Sequence, residues 1–172
     1  MGYALRRMSH TFLALLCGIE NAHAATAVLD RYVGSYVASG TILEGPNADS
    51  HQVRCHFTAS RFGVTGLSLR GTCRAYLIVS RSVSVDLTLD SQSGRVTGAY
   101  TGSRVGTAQL VGWQIRGDLD LTITWPKPLY GDTTARLNVA SLDTDRLRIV
   151  VMDRIGVNGP VRATTELTLQ RR

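Results

Sequence analysis

Apolar side chains recur at every second position in run after run of this chain. No 3.6-residue apolar period lasts three turns anywhere after residue 24. Val53, Cys55, Phe57 and Ala59 form one such row, and Leu67, Leu69, Gly71 and Cys73 another. Val83, Val85, Leu87 and Leu89 follow, then Val96, Gly98 and Tyr100, then Val111, Trp113 and Ile115. Beyond the turn "RGD" come Leu119, Leu121, Ile123 and Trp125, and beyond the loop "PKPLYGD" come Ala135, Leu137 and Val139. Leu147, Ile149 and Val151 precede "IGVNGP", and Val161, Ala163, Thr165, Leu167 and Leu169 close the chain. Strands that alternate in this way bury one face and wet the other, and short turns between them favour sequential antiparallel pairing. The expected fold is all-β, an up-and-down (meander) barrel of about 8–10 strands, which removes free sheet edges. A two-sheet sandwich is the alternative.

The amino terminus predicts export. Arg6 and Arg7 precede a short apolar stretch from Phe12 to Ile19, and Ala22-His23-Ala24 supplies the small residues a signal peptidase requires. That stretch falls well short of the roughly 18 apolar residues of a membrane-spanning helix. A signal peptide over 1–24, cut after Ala24, leaves residues 25–172 as a single β-barrel domain in the periplasm or outside the cell. Only Cys55 and Cys73 remain after the cut. Oxidising compartments join such pairs.

The spacing of those cysteines predicts a register. If residues 63–65 form a three-residue hairpin loop, Phe62 faces Gly66 and, counting back along both strands, Cys55 faces Cys73. Opposed Cα atoms lie about 4.5–5.5 Å apart, within disulfide reach. The same register sets Val53, Cys55, Phe57 and Ala59 on one face with Leu67, Leu69, Gly71 and Cys73. Arg54, His56, Thr58 and Ser60 take the other face with Ser68, Arg70, Thr72 and Arg74. A slip of one residue would invert every side chain.

"RYVGSYVASG" (residues 31–40) resembles the Gly-x-aromatic opening strand of lipocalin-like barrels, with Tyr36 where lipocalins carry Trp. The exported meander with one disulfide is similar to small bacterial members of that group. The resemblance implies a barrel that holds an apolar ligand or acts as an inhibitor or envelope protein; it carries over no binding residue.

An outer-membrane barrel also alternates, with its apolar face turned to lipid. Against that alternative, aromatics make up 6% of the chain, and it ends "LTLQRR" without a terminal aromatic.

The chain carries a formal net charge of +6. Between Ser50 and Val85 lie Arg54, Arg61, Arg70, Arg74 and Arg81, without one Asp or Glu. The hairpin register sets Arg54 against Arg74, with Arg70 and His56 beside them. Like charges so placed repel. Either acids of neighbouring strands such as Asp86 neutralise these groups, or they form an anion site, since guanidinium donors match phosphate and carboxylate oxygens.

Other chemistry is sparse. His51 and His56 point to opposite faces, so no metal site is expected, and no cofactor is expected either. No nucleophile elbow, phosphate loop or zinc-protease motif is present. The basic stretch lacks the interleaved aromatics of a nucleic-acid surface. The expectation is therefore a non-catalytic binding protein. Its interior (Phe57, Leu69, Tyr100, Trp113 and Trp125) would carry a small apolar or amphipathic, anionic ligand, with room left by Gly71, Gly98 and Ala59. The alternative is an envelope interaction module or inhibitor that meets an anionic component through its basic outer surface. A hydrolase or isomerase assembled from strand ends is the third class.

Overall fold

The computed structural model describes residues 27–43, 45, 49–75 and 79–172. The predicted export signal, residues 1–24, and its cut after Ala24 lie outside the described residues. Ten strands follow in chain order: β1 (Gly34–Leu43), β2 (Ser50–Phe62), β3 (Gly66–Ala75), β4 (Val79–Leu89), β5 (Arg95–Thr101), β6 (Ala108–Ile115), β7 (Asp118–Thr124), β8 (Thr134–Ser141), β9 (Arg146–Arg154) and β10 (Val161–Arg171). Each pairs antiparallel with the next, and β1 also pairs with β10. A sandwich would leave two strands as edges; here every ladder finds a partner and the sheet closes on itself.

The β2–β3 hairpin has the expected register, from Val53 opposite Ala75 to Phe62 opposite Gly66. Cys55 and Cys73 face each other and are bonded, with Cα atoms 4.0 Å apart. Val53, Cys55, Phe57 and Ala59 are buried, while Arg54, His56, Thr58 and Ser60 are exposed. The apolar row thus lines the interior and the polar row the exterior, opposite to the arrangement in an outer-membrane barrel. No helix among the described residues is long and apolar enough to cross a membrane.

Two faces differ from expectation. On β6 the inward residues are Ala108, Leu110 and Gly112, while Val111, Trp113 and Ile115 are exposed at 40%, 49% and 51%. The cause is the β6–β7 turn. Arg116 and Gly117, both at positive φ, form a two-residue connection that sets Ile115 opposite Asp118 and Gly112 opposite Leu121. With Leu119, Leu121 and Ile123 inside, Trp113 must point out. On β10 a bulge between Ala163 and Thr165 shifts the alternation: Thr164 is buried and Val161 is 52% exposed.

Gly71 leaves no room for a ligand. A Cβ there would lie 2.2 Å from the Phe57 ring, which crosses the strand to cover it. A Cβ on Gly98 would lie 2.1 Å from the Asp86 carbonyl oxygen. Both positions are close approaches between neighbouring strands.

One end is plugged. A helical turn at 27–30 precedes β1 and buries Leu29 and Tyr32, with Tyr36 beneath them. The Tyr32 hydroxyl donates to the Gly117 carbonyl and the Tyr36 hydroxyl to the Tyr32 carbonyl. The Arg171 guanidinium, 5.2 Å from the Tyr36 ring centroid, donates to the carbonyls of Val33 and Arg31. The antiparallel order places the segments 102–107, 125–133 and 155–160 together at the opposite end. There the Gly156 N–H donates to the Tyr130 carbonyl at 2.6 Å, and the Tyr130 hydroxyl donates to the Leu43 carbonyl.

Candidate functional site

The barrel encloses a cavity of about 550 Å³, within the size range of small-molecule sites. Phe57, Leu69, Leu110, Leu121, Ile149 and Leu167 contribute to its wall, and the rings of Tyr32 and Tyr36 close its floor. Nearer the open end, Tyr100 and Trp125 meet edge to face with centroids 6.0 Å apart. Of the five residues expected inside, Phe57, Leu69, Tyr100 and Trp125 line this space. Trp113 does not.

The rim is cationic. Arg81 pairs with Cys73 across β3 and β4 and so shares its inward face; its guanidinium donates to the Gly102 carbonyl at 3.2 Å. Arg104 and Ser103 border the same opening. Burial pushes the Tyr100 phenol above its ordinary range, and the Arg81 charge works in the opposite direction. An apolar chamber with guanidinium groups at its mouth fits an amphiphile whose charged end stays near water.

Asp153 was not anticipated. It continues the inward row of Leu147, Ile149 and Val151 and is 1% exposed. Among the described residues neither of its oxygens has a hydrogen-bond partner, and neither has the Trp125 indole Nε1. The indole N–H is near enough to favour the carboxylate without reaching hydrogen-bond geometry. Burial first, and Asp132 second, push the Asp153 carboxyl up to about 6; the Trp125 and Arg154 N–H groups oppose them.

The four expected anion ligands all lie on the outer wall. Arg54 faces Arg74, flanked in the same row by Ser39 and Ser80. Arg70 is engaged by Asp86, one nitrogen lying 2.8 Å from each carboxylate oxygen. His56 and Arg70 share an outer groove over Gly71 with Thr58, Thr72 and Arg172. Among the described residues, no group of three or more His, Cys, Asp or Glu converges as a metal site would require.

A closed ten-strand meander around an apolar interior, which among the described residues reaches exposed arginines at one end, has the architecture of lipocalin-like barrels. No protein-family model matches the chain, and no curated protein matches it in sequence. Among solved structures it is similar to Rv2717c from M. tuberculosis, with 19% identity and a TM-score of 0.70 over 86% of this chain and 97% of that one. It is also similar to the S-type phycobiliprotein lyase CPES from Guillardia theta, with 12% identity and a TM-score of 0.56 over 92% and 98% of the two chains. At these identities the likeness is one of fold. It nevertheless corrects one expectation. A barrel of this architecture carries a lyase, so the absence of familiar catalytic motifs gives no ground for calling the chain non-catalytic.

Proposed function

We propose that the protein is an exported binding barrel whose interior takes up a small amphipathic ligand, its apolar part in the cavity and its anionic end at Arg81. The observation that carries this is the cavity itself: about 550 Å³ of largely apolar space ending at a rim with two arginines. Filling such a chamber removes apolar ligand surface from water at about 25 cal/mol per Å². A guanidinium at the rim adds a charge-assisted hydrogen bond for a carboxylate or phosphate. Export to the periplasm or medium, with cleavage after Ala24, is supported by the Arg6-Arg7 and Ala22-His23-Ala24 pattern. The Cys55–Cys73 bond supports the same compartment.

Titration with two fluorescent probes tests the ligand class. Cis-parinaric acid carries a carboxylate, and N-phenyl-1-naphthylamine is neutral. Both are expected to bind saturably. Arg81→Met should weaken the acid by about tenfold, the low end for a hydrogen bond to a charged group near solvent, and leave the amine within about twofold. Equal loss for both probes would remove Arg81 from the site. No saturable uptake of either would remove the interior reading altogether.

A further inference from the structure

We infer that the open end of the barrel docks on an anionic lipid bilayer, bringing the cavity mouth to the membrane surface; this rests on the interior-binding reading above.

Strand direction sorts the charges by end. At the open end lie Arg54 and Arg74 on the outer wall beside the rim, Arg81 and Arg104 at the mouth, Lys127 in the 125–133 loop, and Arg154 and Arg162 where β9 ends and β10 begins. All seven are exposed. The described carboxylates at that end are Asp49, Asp132 and Asp153, the last shut away from solvent. The closed end also carries seven arginines (Arg31, Arg61, Arg95, Arg116, Arg146, Arg171 and Arg172), but five carboxylates, Asp30, Asp90, Asp118, Asp143 and Asp145, offset most of that charge.

The ion pairs follow the same division. Arg61–Asp30 at 3.0 Å, Arg146–Asp143 at 2.6 Å and Arg171–Asp145 at 3.8 Å lie at the closed end. Arg70–Asp86, Arg136–Asp120 and Arg148–Glu166 lie along the walls. Arg54, Arg74, Lys127 and Arg162 have no carboxylate partner among the described residues.

Exposed apolar groups accompany these cations. Val157 is 76% exposed in the 155–160 loop, and Val161 is 52% exposed beside Arg162. Pro126 and Pro128, both exposed, flank Lys127. A soluble polyanion would engage the cations and leave the valines in water. A bilayer engages both, with headgroup phosphates meeting Arg and Lys while short apolar side chains enter the boundary with the acyl chains. The face also surrounds the mouth of a chamber that suits an apolar chain, which a lipid surface supplies.

Co-sedimentation of the full chain with vesicles tests this. Binding is expected to phosphatidylcholine vesicles containing phosphatidylglycerol and not to phosphatidylcholine alone, and it should weaken as salt screens the charges. Arg74→Ser with Arg162→Ser should reduce affinity about 25-fold, roughly fivefold per charge. Arg95→Ser with Arg116→Asn removes the same charge from the closed end and should change it less than twofold. Val157→Ser should weaken vesicle binding while leaving retention on soluble polyphosphate unchanged. Equal loss from the open-end and closed-end pairs overturns the docking face. So does vesicle binding that is indifferent to Val157→Ser, an outcome that assigns the end to a soluble polyanion. Cis-parinaric acid uptake without vesicles reads the interior separately. Uptake without sedimentation removes docking alone, and sedimentation without uptake removes the interior reading.

Discussion

Replacing Cys55 and Cys73 together by alanine is expected to lower the stability of the barrel by about 3 kcal/mol, with a fall in Tm of about 10 °C. The bond joins residues 18 apart in sequence across the β2–β3 hairpin, and Cys55 is fully buried. Without it, the unfolded chain regains the freedom of that loop and the folded wall loses two packed sulfurs. The hairpin also places Phe57 and Leu69 in the cavity wall and borders β4, which carries Arg81. Uptake of cis-parinaric acid should therefore weaken alongside stability. Urea unfolding of the oxidised protein and the double variant measures the difference. A loss below about 0.5 kcal/mol would mean that the ladder holds this register unaided.

Asp153→Asn is expected to stabilise the protein by about 2–3 kcal/mol at pH 8 and to change little at pH 4. The Asp153 carboxyl is pushed up to about 6 in the folded state, so the fold holds its proton more tightly than the unfolded chain does. The corresponding stability is fully present below the unfolded value near 4 and is lost as pH rises through about 6. Above that point an ionised carboxylate sits buried, without a cationic partner among the described residues and facing the charge of Asp132. Asparagine keeps the shape and cannot ionise. Thermal unfolding of both proteins across this range gives the answer. If the asparagine variant is the less stable at pH 8, the ionised carboxylate has a partner and this account of the site fails.

How far the architecture could be read in advance depended on turns. At β2–β3 the three-residue loop and the cysteine spacing agree, so one register satisfies both. At β6–β7 the stretch "RGD" allows a three-residue loop, which would set Trp113 opposite Leu121 and turn it inward. The two-residue turn at Arg116 and Gly117 sets Gly112 there instead. Alternation cannot decide between them, because β6 carries Ala108 and Leu110 on one face and Val111, Trp113 and Ile115 on the other. The bulge at Thr164 leaves no mark in the periodicity of "VRATTELTL".

The site residues left a fainter trace. Arg81 is in phase with Val83 and Val85, and Asp153 is in phase with Ile149 and Val151. A charged side chain that extends an apolar row at a strand end marks the rim of a barrel. Phase alone would have separated Arg81 from the outward arginines Arg54, Arg70 and Arg74. The cavity itself was not legible: whether inward side chains fill a barrel or leave it hollow depends on its girth, which closure sets.

Native mass spectrometry of the protein purified from its own host shows whether the interior carries a ligand. The expected result is a mass for residues 25–172 with one disulfide, accompanied by a single bound amphiphile of lipid-like mass that collisional activation releases. A bare polypeptide mass under gentle conditions, from protein that also fails to take up cis-parinaric acid, would contradict it.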